Sequence, residues 1–259
     1  MEKFDENLVS VITPAYNCSS TIAETIESVI SQTWNNWEMI IADDCSTDAT
    51  ADVIKEYCRK DSRIKYIVLD KNSGSAAARN TAIVHAKGRY IALLDSDDLW
   101  HQDKLKHQIS FMQDNNYAFT FTAYEVFKNS ADRERKVFQM PKSVTYKQYL
   151  RNSIIGCLTV VVDRHQIPDF HMENGYLEDV LTWMHYLRKG FVAYGLNENL
   201  ASYRIVINSK SSNKTKNAGR FYNCLKIQPD LNFIERCICQ VGYMFNATKK
   251  RLFSPTIKK

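Results

Sequence analysis

The chain is expected to fold as an α/β protein around a mainly parallel, doubly wound sheet with helices on both faces. Two observations predict this. Through the first hundred residues, apolar β-rich runs alternate with runs of helical period, and each β-rich run ends in a polar turn. With 259 residues and 44% hydrophobic content, the chain can bury one large core, or one core with an appendage.

Leu8-Val9-Ser10-Val11-Ile12-Thr13 reads as a buried strand ended by Pro14. Ile22, Ile26, Val29 and Ile30 then recur at helical spacing, and Thr21 with Glu24 fits a capping box. A second strand covers Trp37 to Ala42, followed by a helix over about 47–59 capped by Ser46 or Thr47. Ile64 to Leu69 is a third strand and Ser75 to Lys87 a third helix. Arg89 to Leu94 is a fourth strand running into Asp95-Ser96-Asp97-Asp98. This βαβαβαβ order predicts right-handed crossovers and parallel pairing. Past residue 116 the pattern changes. Tyr117 to Phe127 is β-rich and aromatic, Val144 to Arg151 short and helical, and Ile154 to Val162 another strand. A helix runs from Leu177 to about Lys189, residues 191–205 form strand and loop, and 206–259 is mostly helical.

The N-terminus is acidic and has no apolar signal segment, and no run approaches the ~18 apolar residues that span a bilayer. Seven scattered cysteines suit a reduced compartment, so a cytoplasmic location is expected; Cys237 and Cys239 lack a second pair and read as packing residues. Net charge is +5, and residues 206–259 hold eleven Lys or Arg against two acids. Such a basic end suits an anionic membrane, glycan or nucleic acid, or is simply a solvated face. Within it, Ile234, Ile238, Val241 and Phe245 form one helical stripe, expected to pack on the body, a partner or a membrane surface.

Open α/β sheets bind ligands beyond the carboxyl ends of their strands. Here those ends carry Thr13-Pro14-Ala15-Tyr16-Asn17, Asp43-Asp44, Asp70 to Gly74, and Asp95-Ser96-Asp97-Asp98. Residues i and i+2 of an extended chain face the same way, so Asp95 and Asp97 can converge on a hard cation such as Mg²⁺ or Mn²⁺. The competing reading is an acidic turn in which Asp98 caps the next helix. Adjacent Asp43 and Asp44 point apart, so one is expected to face a ligand and the other to order the loop; bonding of Asp44 to loop amides alone stands equally open. Tyr16 either stacks on a base or packs. No G-x-G-x-x-G, Walker A or G-x-S-x-G motif appears. A phosphoacceptor receiver domain would put its acidic pair after the first strand, where Thr13-Pro14-Ala15-Tyr16 stands instead.

These motifs, with Ala78-Arg79-Asn80, Glu178-Asp179 and Trp183, resemble family 2 glycosyltransferases of the GT-A fold, over about residues 8–205. Tyr203-Arg204 and Ser211-Ser212-Asn213-Lys214 extend the likeness toward bacterial enzymes of teichuronic acid, capsule or O-antigen assembly. The resemblance implies a catalytic domain over 1–205, its donor half at about 1–115 and acceptor half at about 116–205, and a basic C-terminal extension at 206–259. It implies an inverting transfer from a nucleoside-diphosphate sugar, expected to be UDP-linked, to a lipid-linked or polymeric glycan. By position it assigns donor binding to Pro14, Ala15, Tyr16, Asp44, Asn72, Arg79, Asp95 and Ser96, Mn²⁺ or Mg²⁺ to Asp95 and Asp97, and the general base to Asp179. Glu178 and Trp183 fall on the acceptor side; Asp179 and Trp183, four apart on a helix, would share a face. Arg79 braces either the nucleotide loop or the diphosphate, or serves structure alone. No nucleic-acid partner is implied, and the C-terminal extension would touch the inner face of the plasma membrane. The family pattern often places a His two residues after the Tyr-Arg pair, where it can join the metal site; Val206 stands there in this chain. The alternative from another class is a non-catalytic sugar-nucleotide or glycan-binding subunit on the same fold.

Overall fold

The computed structural model describes residues 4–128, 132, 134–205, 214–253 and 256–258. Its strands are β1 (Asp5–Ala15), β2 (Trp37–Asp43), β3 (Ile64–Val68), β4 (Gly88–Leu93), β5 (Leu99–Trp100), β6 (Phe119–Phe127), β7 (Glu134–Phe138), β8 (Ser143–Val144), β9 (Val161–Asp163), β10 (Ala193–Arg204) and β11 (Thr256–Lys258). Its helices are α1 (Ile22–Ile30), α2 (Thr50–Lys60), α3 (Ser75–Val84), α4 (Lys104–Asn115), α5 (Tyr146–Tyr149), α6 (Glu178–Arg188), α7 (Lys214–Lys226) and α8 (Phe233–Phe253). One sheet runs in the order β11-β7-β6-β9-β4-β1-β2-β3, and β10 pairs with β5, β6 and β8 beside it. The block β4-β1-β2-β3 is parallel, as is β10 on β6; β9 is antiparallel to both β4 and β6.

Period-two alternation sorts the strands' side chains onto two faces. Val9, Val11, Met39, Ile41, Tyr90 and Ala92 pack with α1, α2 and α4, while Ile12, Ile40, Ile91 and Leu93 pack with α3, α6 and α7. Helices on both faces are what near-continuous apolar strands require.

Local details differ from the sequence reading where tertiary partners outbid local ones. Thr21 makes no cap; its hydroxyl donates to the carbonyls of Ser96 (3.0 Å) and Cys18 (3.3 Å). Glu24, its expected partner, accepts from Arg204. Helix α2 starts three residues later than expected because Ser46 and Thr47 are occupied elsewhere, by Asp43 and Asn17. In their place, Asp48 accepts from the Thr50 amide at 3.0 Å. The apolar run from Ile154 is not a strand. Thr159 donates its amide and hydroxyl to the Gly156 carbonyl, closing a 3₁₀ turn over Cys157–Thr159 and leaving only Val161–Asp163 extended. Its apolarity reflects burial in the core, which periodicity cannot separate from a strand. At the C-terminus β11, unforeseen, pairs antiparallel with β7. Val206 and Ser211-Ser212-Asn213 lie outside the described residues.

Gly88 opens β4 where β1 crosses closely. A Cβ there would collide with the Leu8 carbonyl oxygen and stand 2.8 Å from Ser10 Oγ. Gly88→Ala should therefore cost about 1–3 kcal/mol through forced backbone displacement, read from urea denaturation; unchanged stability would contradict this register.

Candidate active site

The order of the strands reverses at β1, with β2 and β3 on one side and β4 on the other, and this opens a crevice at their carboxyl ends. Ile12 pairs with Leu93 and Ala15 with Asp43. Hence Pro14-Ala15-Tyr16, Asp43-Asp44 and Asp95-Ser96-Asp97 arrive at the same edge.

On the donor side, Ala15 is buried and its carbonyl accepts the Asp44 amide at 2.8 Å. Tyr16 is 51% exposed, so its ring is no core packing element. Asp44 accepts from the amides of Ser73 (2.6 Å) and Gly74 (2.8 Å), and the Asn72 side chain donates to the Asp44 carbonyl at 3.1 Å. Gly74 sits at φ 88°, a region glycine enters without cost, which turns its N–H toward Asp44. Asp44 thus performs the loop-ordering role, one loop amide on each carboxylate oxygen. Asp43 does the same for its own loop, accepting from Ser46 and from the Tyr66 hydroxyl at 2.6 Å. Asn17, not singled out beforehand, sits at φ 47° and fastens the first turn by accepting the Thr47 amide at 2.8 Å.

The fourth strand end contains three acids in three states. Asp95 accepts from Arg79. Asp97 has its carbonyl held by Arg204 Nε at 2.7 Å, while its carboxylate accepts no bond from another side chain among the described residues; burial, then the nearby Asp95 charge, push it up to about 6. Asp98 is fully buried, with one oxygen taking the Arg204 amide at 2.8 Å and the other without a partner. Burial and the neighbouring Asp97 hold Asp98 well above the usual carboxyl range. It is a brace between β4 and β10 and caps nothing; α4 begins later, after Asp103. Among the described residues, no third His, Cys, Asp or Glu completes a protein cation cage. A half-buried carboxylate without donors beside a second carboxylate suits a hard cation whose other ligands are phosphate oxygens or water. Asp95 and Asp97 therefore fit Mg²⁺ or Mn²⁺. Ser96, between them, offers its carbonyl to Thr21.

Helix α6 begins with Glu178-Asp179. Burial would raise Glu178, but Arg79 and Ser75 outweigh it and keep the carboxylate below its ordinary value. Glu178 accepts from Ser75 Oγ and from Arg79 Nη1, the latter at 3.0 Å. Asp179 accepts only the Val180 amide, at 2.8 Å, and its other oxygen accepts nothing from the described residues. It lines a cavity of about 200 Å³ walled by Ile154, Gly156, Phe221 and Tyr243. Burial, then the Glu178 charge, push Asp179 up to about 6. Of the two opposing influences, helix dipole and burial, burial prevails.

Trp183 departs from expectation. It has no exposed surface, its ring packing on Phe119 (5.1 Å) and Phe170 (6.5 Å). The cavity sits at the very start of α6, and one turn further the helix is already covered by β6 and the 164–177 loop. Trp183 supports the helix from beneath, and the cavity walls come from α7, α8 and the 153–156 segment instead.

Arg79 joins the two sides. Buried on α3, it grips Asp95 with one terminal nitrogen and Glu178 with the other. The same guanidinium acts on Asp97 and Asp179, drawing both downward. Asn80 adds a two-way clamp, donating to the Met172 carbonyl (2.9 Å) and accepting the Met172 amide (2.7 Å). The Arg-Asn pair thus staples the loop and helix that carry Asp179 onto the donor half. The motif was visible in sequence; the roles of Ser75 and Asn80 were not, because their partners lie 103 and 92 residues away.

Residues 10–165 match the sequence profile of Glycosyl transferase family 2. The chain belongs to that family. It is 48% identical over 246 residues to a putative teichuronic acid biosynthesis glycosyltransferase, TuaG, of Bacillus subtilis, covering 95% of this chain and 98% of that one. It is 39% identical over 243 residues to the Escherichia coli UDP-Glc:alpha-D-GlcNAc-diphosphoundecaprenol beta-1,3-glucosyltransferase WfgD, covering 93% and 92%. The fold matches that of a mannosyltransferase from Pyrobaculum calidifontis, solved in complex with GDP-Man and Mn²⁺, at a TM-score of 0.68 and 17% identity, over 95% of this chain and 70% of that one. The enzyme is a glycosyltransferase on a GT-A-like fold, with α7 and α8 appended.

Asn80→Ala should strip both bonds from Met172, costing about 1–3 kcal/mol, and let α6 drift. Steady-state kinetics should show kcat falling about tenfold while donor KM stays within twofold. An unchanged kcat would remove Asn80 from the staple.

Proposed function

We propose that this glycosyltransferase moves a hexosyl or N-acetylhexosaminyl group from a UDP-sugar to a hydroxyl of a lipid-linked or polymeric glycan, at the cytoplasmic face of the membrane. The observation that carries the reading is the division of labour at the start of α6. Glu178 is consumed by Arg79 and Ser75, while Asp179, with one oxygen that accepts nothing from the described residues, lines a cavity. The B. subtilis and E. coli relatives, whose names specify surface-glycan assembly and a UDP-Glc donor with a diphosphoundecaprenol-linked acceptor, support the substrate classes.

In this mechanism the Pro14-Ala15-Tyr16 turn and the Asp44–Asn72 lock seat the nucleoside, with Tyr16 free to cover the base and Ser96 and Arg79 flanking the diphosphate side. Asp95 and Asp97 would hold Mg²⁺ or Mn²⁺, which supplies charge neutralisation for the departing diphosphate. The acceptor hydroxyl, in the cavity, gives its proton to Asp179 as its oxygen attacks the anomeric carbon; the bond to the UDP oxygen breaks from the opposite side. One displacement with one base inverts the anomeric carbon. The beta linkage in the name of the E. coli relative agrees with inversion of an α-linked UDP-sugar. An Asp pushed up to about 6 is a stronger base than an ordinary one and remains ionised at neutral pH.

Asp179→Asn should lower transfer and donor hydrolysis by about 10²–10⁴-fold with UDP affinity unchanged. A chain that only binds sugar nucleotides would show no turnover to lose. The fold holds Asp179 above its unfolded value of 3.8, favouring the neutral form. The wild type therefore loses stability relative to the Asn variant as pH rises from about 4 to about 6. Thermal melts should show the variant at least as stable as wild type at pH 8, whereas a merely structural aspartate would melt lower when replaced. With donor and cation saturating, so that Asp97 is held ionised, kcat should fall as pH drops through about 6.

Metal affinity gives a separate check. Two carboxylates, one already engaged by Arg79, make a weak site alone, so calorimetry should find Mn²⁺ binding at least about tenfold tighter with UDP present. Tight Mn²⁺ binding to the empty protein, or none with UDP, would overturn the assignment of Asp95 and Asp97.

A further inference from the structure

The outer face of α8 is apolar and uncovered by the described residues. Phe233, Ile234, Ile238, Val241, Met244 and Phe245 are between 50% and 69% exposed, on one side of a 21-residue helix. The opposite side is fully committed. Cys239 is buried, Tyr243 stacks on Phe221 with centroids 4.0 Å apart, Asn246 donates to the Arg151 carbonyl at 3.1 Å, and Lys250 donates to the Tyr124 hydroxyl at 2.8 Å. Tyr243 and Lys250 also wall the Asp179 cavity. The helix therefore separates the acceptor cavity from an apolar surface.

We infer that this face of α8 lies in the interface of an anionic bilayer, parallel to the membrane plane, and brings the Asp179 cavity to a membrane-borne acceptor. The inference rests on the lipid-linked acceptor proposed above. Six contiguous large apolar side chains exceed the scattered exposure normal to a soluble surface. No described helix is long and apolar enough to cross a membrane, so an amphipathic helix of this kind would lie on the surface instead. The charge selects the occupant. Residues 206–259 carry eleven basic against two acidic residues, while 1–205 carry 23 against 27. Lys216, Lys226 and Lys249 are exposed on the two C-terminal helices. Anionic headgroups complement such a surface. A second copy of the chain is the competing occupant, since Ile234, Ile238, Val241 and Phe245 follow a 4-3-4 spacing. Self-pairing would, however, set basic flank against basic flank, with only Asp230 and Glu235 to offset them.

The test compares the full chain with a Val241→Glu/Phe245→Glu variant by sedimentation with vesicles of phosphatidylcholine alone or with 30% phosphatidylglycerol. The wild type should bind the anionic vesicles and release in high salt, and the variant should bind at least about tenfold more weakly. Turnover of a vesicle-embedded polyprenyl-diphosphate acceptor should fall in the variant, while turnover of a water-soluble short-chain analogue stays at the wild-type rate, which also shows that the variant is folded. Equal vesicle binding by both proteins, no binding by the wild type, or a light-scattering dimer that the variant dissolves would each overturn the inference. If neither protein turns over the soluble analogue, the acceptor assignment fails independently of the vesicle result.

Discussion

The site depends on one buried cation. Arg79 stands on α3 with a carboxylate from β4's end on one side and a carboxylate from α6's start on the other. Asp95 and Glu178 are separated by 83 positions in the chain, and each side of the crevice would repel the other without a positive charge between them. Burying a guanidinium is costly, and it is sustained here by two ion pairs made with separate terminal nitrogens. Lysine, a single point charge, could not hold both partners in fixed directions.

That arrangement separates the acids by role. Asp95 and Glu178 are fixed by their bonds to Arg79, which also holds Glu178 below its ordinary carboxyl value. Asp97, two residues past Asp95, and Asp179, one past Glu178, feel Arg79 only at a distance, and burial raises both to about 6. Neither carboxylate accepts a bond from another side chain among the described residues, which leaves each open to the partner proposed for it, a cation and an acceptor hydroxyl. Asp98, fully buried and held well above the usual carboxyl range, belongs to the scaffold. Arg204 supports the same loop from β10, bonding the Asp97 carbonyl, the Asp98 carboxyl and Glu24 together.

Much of this was legible in the sequence, for definable reasons. The parallel half announces itself because buried strands and amphipathic helices have distinct periods, and Asp95 and Asp97 stand just past a strand's carboxyl end; Asp179, by pattern an ordinary acid of a helix's first turn, was singled out by the family resemblance alone. Contacts that span the fold were not legible. The Thr21–Glu24 box failed because Ser96 and Arg204 compete for those side chains, and the run from Ile154 looked extended because burial and strand formation leave the same apolar trace. Trp183 was misplaced because helical spacing shows which residues share a face but not where along the helix the cavity ends. The stripe on α8 was foreseen; its exposure was not, since periodicity is blind to what covers a face.

The central claim is that cation-binding and proton-accepting carboxylates gather around Arg79 in one cleft. The most direct measurement is an anomalous-scattering map from crystals grown with Mn²⁺ and UDP. The account predicts a metal peak on the carboxylates of Asp95 and Asp97, with the Asp179 oxygen turned into the same cleft. A peak on other residues, or an Asp179 carboxylate directed away from the nucleotide, would contradict it.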